Sequence, residues 1–271
     1  MDRAGLIATP QLADLMAVVR RVGDEVVLPR FTRVAHTRKA DGSVLTEVDL
    51  EAQAVLGREL SALAACPMLG EEMAREEQSL QWEAGRDGLW CVDPVDGTSN
   101  FVNGLPHFAV SVAFMRAGRP VLGVVYAPAL GEMFSAEAGK GAYFNGERLP
   151  INGPAEGVAD AIAGIDFKRL PAGLAEKLSI DPPFHSQRNF GSGALDWCYV
   201  AAGRFDLYLH GGQHLWDYAA GSLILQEAGG VMGTLESEDY WAGDIWRKSV
   251  VAASTGFLCA EWRSRIGAMA H

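Results

Sequence analysis

No two of the four cysteines, Cys66, Cys91, Cys198 and Cys259, are close enough in sequence to form a C-x-x-C pair. That argues against a disulfide framework and against a zinc knuckle. Cys91 and Cys198 lie in apolar runs and are expected to be buried thiols. Basic charge is also scarce: 23 Lys and Arg stand against 34 Asp and Glu, a net charge of −11. A nucleic-acid footprint needs a basic face, so no nucleic-acid partner is expected. The acidity does not exclude a small phosphorylated substrate, because bound cations reverse the local charge. The apolar runs are too short to span a bilayer, so no membrane association is expected. Met1-Asp2-Arg3-Ala4-Gly5-Leu6 has no signal-peptide pattern, which makes the reducing cytoplasm the expected compartment. Internal repeats and low-complexity linkers are missing as well.

What is present is ordinary for a globular protein: 271 residues, 49% hydrophobic and 21% charged. That length allows one large domain or two subdomains around a substantial core. Apolar residues recur at helical spacing over residues 12–28, up to Pro29. Residues 32–43 are polar and aperiodic, with Lys39-Ala40-Asp41-Gly42-Ser43 as a loop tip or mobile lid. Thr46 and Asp49 fit a capping box at the start of a second helix. Pro67-Met68-Leu69 leads into Gly70-Glu71-Glu72, and residues 74–87 read as an irregular surface excursion.

Residues 108–115 and 121–126 are expected strands, followed by two hairpins with Asn145-Gly146 as a turn. From about residue 152, strand and helix alternate, the pattern of an α/β unit. The expectation is an α/β protein. Residues 1–151 form an α+β half with an antiparallel sheet, and residues 152–271 an α/β half packed closely against it. In the second half, residues 205–209 read as a strand, and His210 and His214 fall in a polar loop or at a substrate.

The chemistry centres on Trp90-Cys91-Val92-Asp93-Pro94-Val95-Asp96-Gly97-Thr98-Ser99-Asn100-Phe101. An apolar strand ends in one aspartate, and a second follows three residues later. Pro94 has a fixed φ and no N–H, so a sharp turn is expected after the strand. Gly97 permits a backbone path that a side chain would block. Asp93 and Asp96 can then converge on a cation, with the Val95 carbonyl as a further oxygen donor. An all-oxygen donor set suits Mg²⁺, and no histidine sits at metal-ligand spacing nearby. The N–H groups of Gly97 and Thr98, at the start of a helix, suit an anion. Two aspartates alone would equally fit a structural D-P-x-D turn; the full string in its strand-then-turn context favours a metal site.

D-P-V-D-G-T-S-N-F resembles the signature of the inositol monophosphatase family of Mg²⁺-dependent, lithium-sensitive phosphatases. Thr46-Glu47-Val48-Asp49 matches its T-x-x-D element, and Gly70-Glu71-Glu72 its upstream acidic motif. Trp216-Asp217-Tyr218-Ala219-Ala220-Gly221, followed by Glu227-Ala228-Gly229-Gly230, matches its C-terminal motif. The four stand in family order, over roughly residues 10 to 265.

The resemblance implies a layered αβαβα sandwich of the sugar phosphatase type, and a phosphomonoesterase for a small phosphorylated metabolite. It implies two or three Mg²⁺, with Mn²⁺ as a substitute and Li⁺ or Ca²⁺ as inhibitors, and a homodimer. Glu71, Asp93 and the Val95 carbonyl would hold the first metal, and Asp93, Asp96 and Asp217 the second. A third, weaker metal would touch Glu71, with Asp49 near it through water. Thr98 and Glu71 would orient and deprotonate the attacking water, and Gly97 and Thr98 would bind the phosphate.

Asp217 equally suits an N-cap, and one residue can serve both ends. Ser192, Gly193 and Asp166 fall where the family contacts the leaving group. Arg188 suits a second phosphate or an internal acid. Helix starts near Thr98, Ser192 and Asp217 could converge on one phosphate. The family's inositol-handling members carry an acid seven residues before the W-D aspartate, and this chain has His210 there. That departure argues against myo-inositol monophosphate as the main substrate. A 3′-phosphonucleotide, fructose 1,6-bisphosphate or histidinol phosphate would use the same chemistry. A regulatory binding protein on the same fold is the rival of another class.

Overall fold

The computed structural model describes residues 7–33, 35–38, 44–150 and 153–270. In chain order its elements are α1 (Leu12–Arg21), β1 (His36–Arg38), β2 (Val44–Thr46), α2 (Glu47–Leu63), β3 (Met68–Gly70), α3 (Arg75–Ala84), β4 (Leu89–Asp96), α4 (Thr98–Asn103), β5 (Ala109–Arg116), β6 (Arg119–Ala127), β7 (Glu132–Glu137), β8 (Gly141–Phe144) and β9 (Glu147–Arg148). There follow β10 (Ile162–Asp166), α5 (Ala172–Ile180), β11 (Ser186–Arg188), α6 (Gly193–Ala201), β12 (Leu207–Gln213), α7 (Leu215–Glu227), β13 (Val231–Gly233), β14 (Lys248–Ala253) and α8 (Gly256–Ala270).

Strands β3 to β9 form a seven-stranded sheet in sequence order. Only the β3–β4 pair is parallel, so the expected antiparallel sheet is there. A second sheet has the order β11-β10-β12-β14-β13, with β10 parallel to both neighbours.

Alternation along the strands explains the stacking, because successive side chains point to opposite faces. On one face of the first sheet, Trp90, Val92, Val112 and Phe114 pack against Leu15 and Val19 of α1 and Leu56 and Leu60 of α2. On the other, Cys91, Ala109, Ala113 and Ala136 meet Ala219, Ala220 and Leu223 of α7 and Trp197 of α6. That second face is built of small residues, which lets a helix backbone approach. A Cβ on Gly123 would lie 2.9 Å from the Ala220 carbonyl oxygen. The far side of α6 and α7 meets Tyr208, Val250 and Ala252 of the second sheet. The outer face of that sheet carries Ile165, Leu207 and Val251 against Leu174 of α5 and Trp262 of α8. The order is helices, sheet, helices, sheet, helices: the αβαβα sandwich. No helix among the described residues is long and apolar enough to cross a membrane.

Four local readings change. The first helix does not run evenly to residue 28. It passes at Val22–Val27 into a wider π-helical turn and then a 3₁₀ turn at Leu28–Arg30. Residues 75–84 are the helix α3, not an irregular excursion. Its one buried residue is Gln78, whose amide donates to the Gly70 carbonyl at 2.9 Å. A helix held by a hydrogen bond instead of an apolar stripe shows no 3.6-residue pattern. Arg38 and Val44 close a small β1–β2 ladder around the expected loop tip; Lys39 and residues 40–43 lie outside the described residues. Finally, β12 runs on through His210 to Gln213, past a bulge against β14. Gly211-Gly212 masks this extension in the sequence.

Candidate active site

Asp93 and Asp96 are three apart, and an unbroken strand would put them on opposite faces. The chain solves this with a bulge rather than a sharp turn. Asp93 pairs with Ser111 and Asp96 with Ala109, so β4 spends three steps where β5 spends two. The extra residue reverses the alternation. Val95 therefore joins Trp90 and Val92 in the core under α2, and Asp96 falls on the same side as Asp93. Pro94 suits this position because a bulged residue needs no ladder N–H. Gly97 follows with φ +89°, and a Cβ there would meet the His107 carbonyl oxygen at 2.9 Å.

Asp217 arrives from the far side of the molecule, on the first turn of α7. It is not the N-cap: His214 is, and Asp217 is the third helical residue, its Oδ2 accepting the His214 N–H at 2.9 Å. This leaves Oδ1 for the cavity. Carboxylate oxygens of Asp93, Asp96 and Asp217 all lie within 4.8 Å of one another. The same bond-and-spare pattern holds in the other two. Asp93 Oδ1 accepts the Val95 N–H at 3.1 Å. Asp96 Oδ2 accepts from the Ser192 hydroxyl at 2.5 Å and the Ala194 N–H at 2.8 Å, which ties α6 to the end of β4.

These carboxylates crowd one another. Burial pushes Asp93 well above the usual carboxylate range, and the charges of Glu71, Asp96 and Asp217 push the same way. Asp217 is raised by burial, Asp96 and Glu71. Asp96 is raised by burial to about 6, although the Ser192 and Ala194 bonds pull it down. Three mutually repelling carboxylates with spare oxygens form a set that a divalent cation would relieve. The donors are all oxygen, as hard cations such as Mg²⁺ require.

Behind this trio Asp49 is fully buried. The expected capping box is present: Asp49 Oδ2 accepts the Thr46 N–H at 2.8 Å and the Thr46 hydroxyl at 2.5 Å. Its other oxygen lies 3.3 Å from the Thr98 hydroxyl, which is 3.0 Å from the Val95 carbonyl oxygen. Burial and the Glu71 charge raise Asp49. The capping reading of Asp49 holds, and its second oxygen is turned to Thr98.

A cavity of about 380 Å³ opens over the trio. Glu71, Asp93, Val95, Asp96, Gly97, Thr98, Ser192, Gly193, His210 and Asp217 all line it; Asp49 stands back from it. The starts of α4, α6 and α7 all border it. At its other end stand Asp166 and His210, register partners on the parallel strands β10 and β12. His210 Nδ1 accepts the Gly212 N–H at 3.0 Å, and Nε2 lies 3.6 Å from Asp166 Oδ2. Burial would raise Asp166, but His210 and Arg169 outweigh it and hold it below the usual range. Arg188 does not border the cavity; it bonds Ser186 and Gln187.

Two charged cavity residues escaped the sequence reading. Arg169 is the one Lys or Arg lining the cavity among the described residues. Asp196 lies on α6 within an otherwise apolar run. A single acid between Leu195 and Trp197 was the available signal.

The model of the inositol monophosphatase family matches residues 9–268. Over 220 residues the chain is 38% identical to a Thermotoga maritima protein named fructose-1,6-bisphosphatase/inositol-1-monophosphatase, covering 79% of this chain and 81% of that protein. It is 34% identical over 253 residues to the Nus factor SuhB of Haemophilus influenzae, covering 90% of this chain and 91% of that protein. Among solved structures, that of Thermotoga maritima IMPase matches with a TM-score of 0.81 at 31% identity, covering 96% of this chain and 97% of that one.

Proposed function

The chain belongs to the inositol monophosphatase family, and from that premise we propose that it is a Mg²⁺-dependent phosphomonoesterase for a small polyol or sugar phosphate. The observation that carries the reading is the convergence of Asp93, Asp96 and Asp217, from elements more than a hundred residues apart, on oxygens within 4.8 Å. Glu71, Asp93 and the Val95 carbonyl would hold one Mg²⁺, Asp93, Asp96 and Asp217 a second, and Glu71 a weaker third. Bound there, the ions neutralise the phosphate, lower the pKa of water and stabilise the leaving alkoxide. Gly97 and Thr98 offer N–H groups to the phosphate. The Thr98 hydroxyl, backed by Asp49, orients the attacking water, and Glu71 takes its proton.

Mn²⁺ is expected to substitute, Li⁺ and Ca²⁺ to inhibit, and the protein to act as a homodimer in the cytoplasm. A 3′-phosphonucleotide, fructose 1,6-bisphosphate and histidinol phosphate are alternative substrates for the same chemistry. The rival, a regulatory binding protein, draws support from the relative named a Nus factor. The intact carboxylate set favours catalysis.

Purified protein should hydrolyse p-nitrophenyl phosphate with Mg²⁺ and not without it, and millimolar lithium should slow it. No turnover, together with Mg²⁺ binding unaffected by Asp93→Asn, would end the phosphatase reading.

A further inference from the structure

One carboxyl group in the cavity has no part in the chemistry above. Asp196 sits on the first turn of α6, 5% exposed, between the fully buried Leu195 and Trp197. It lines the cavity; its Oδ1 is buried without a hydrogen-bond partner, and its other oxygen makes no hydrogen bond among the described residues. Native proteins leave few such groups unpaired, and each calls for a cause. Burial pushes it well above the usual carboxylate range, and the charges of Asp96 and Asp166 push the same way.

The donors that open α6 are committed elsewhere. The Ser192 hydroxyl and the Ala194 N–H are given to Asp96. The Gln213 amide donates to Tyr208, and its oxygen accepts from the Trp197 indole. A donor that enters the cavity with a ligand would give Asp196 the partner it lacks. A phosphate dianion has no proton to give and would be repelled by the surrounding acids. A hydroxyl is neutral and donates, and in a cavity holding a phosphate ester the hydroxyls belong to the leaving group.

We propose that Asp196 is a specificity-determining residue, whose carboxyl hydrogen-bonds a hydroxyl of the polyol or sugar that leaves. The inference rests on the phosphatase reading and adds a residue to it. The test compares inositol 1-phosphate, rich in hydroxyls, with p-nitrophenyl phosphate, whose leaving group carries none beyond the ester oxygen. Asp196→Ala should lower the ratio of their kcat/KM values about tenfold, the loss of one hydrogen bond, mainly through KM for the inositol ester. Asp196→Asn, which keeps an acceptor oxygen, should lie between. The melting temperature of Asp196→Ala should hold or rise, since an unpaired buried polar group is removed.

A ratio unchanged in both variants, whether the two substrates fall together or neither falls, would overturn the proposal. So would a melting point that drops in both variants with no change in the ratio, which is a structural role. A wild-type protein inert on both esters would instead remove the phosphatase reading, and this inference with it.

Discussion

The two ends of the cavity are built on different plans. At the carboxylate end, two of the three clustered acids come from one strand, four residues long from Asp93 to Asp96, and a bulge aims them. Every acid there has one oxygen anchored by the protein and another left over. At the other end, Asp166 and Arg169 lie three residues apart at and just after the end of β10, and Asp196 and His210 come from α6 and β12. Their bonding is uneven: His210 engages both ring nitrogens, whereas Asp196 Oδ1 has nothing. Each end joins a pair three residues apart to residues from distant elements, so the contrast lies in the bonding; under the proposed function the first end would carry the reaction and the second would meet the leaving group. Changes at the first end should therefore strike all substrates alike, and changes at the second should sort them.

The largest effect belongs to Asp93→Asn. Altering a group that merely supports a ligand costs about 10- to 100-fold in metal affinity, so altering a shared ligand should cost more than about 100-fold. Calorimetric Mg²⁺ titration and turnover of both an aryl and a polyol phosphate check it. A substrate-selective loss would break the comparison. Thr98→Ala comes next. A positioned group that helps move a proton contributes about 10²- to 10⁴-fold, so kcat should fall at least about 100-fold on either substrate. Mg²⁺ affinity should hold, because the Val95 carbonyl keeps its free lone pairs when the hydroxyl is gone.

The same contrast explains how much could be read before the structure. The D-P-V-D-G-T string was legible because Asp93, the bulged residue and Asp96 lie within four positions. The antiparallel sheet was legible from alternation and from Asn145-Gly146, whose φ values of 47° and 88° suit a tight hairpin. Asp49 was legible as a cap, and the cap geometry is there. Helix α3 was not, because what holds it comes from afar. Arg75 stacks over the Trp246 ring at 3.6 Å, and Trp82 meets the same ring edge-on at 6.1 Å. Trp246 lies more than 160 residues on, in a loop without periodicity. Asp196 was hidden for the opposite reason: its helix is so apolar that the run reads as core. Local pattern carries no sign of which buried acid faces a cavity.

A pH experiment sharpens the carboxylate end. Burial raises Asp96 to about 6, against about 3.9 for an unfolded aspartate. A raised carboxyl binds its proton more tightly in the folded state. Its contribution to stability is therefore present below about pH 4, is lost as pH rises toward 6, and stays lost above. Asp93 and Asp217 shift in the same direction. In the presence of chelator, the melting temperature should fall as pH rises from about 4 through 6. The fall should shrink in Asp96→Asn and vanish in saturating Mg²⁺, which favours the ionised forms. A fall of equal size with and without Mg²⁺ would show that the trio is not where the cation acts.

The smallest effect should come from His210→Ala, although His210 occupies the position where the family's inositol-handling members carry an acid. Its nitrogens already have neighbours: Nδ1 accepts the Gly212 N–H, and Nε2 faces Asp166 Oδ2 at 3.6 Å. A ligand hydroxyl would have to displace one of these partners, so the net gain from contacting His210 is small. Asp196 loses nothing when a hydroxyl arrives. The ratio of kcat/KM for inositol 1-phosphate to that for p-nitrophenyl phosphate should fall only about threefold in His210→Ala, well short of the change in Asp196→Ala. With His210 gone, Asp166 loses the contact that holds it low, and its carboxyl should titrate higher, a shift that carbon-detected NMR can follow. If His210→Ala instead cost more than Asp196→Ala, the leaving group would be read by the paired ends of β10 and β12. The unpaired acid on α6 would then be an incidental feature of the helix.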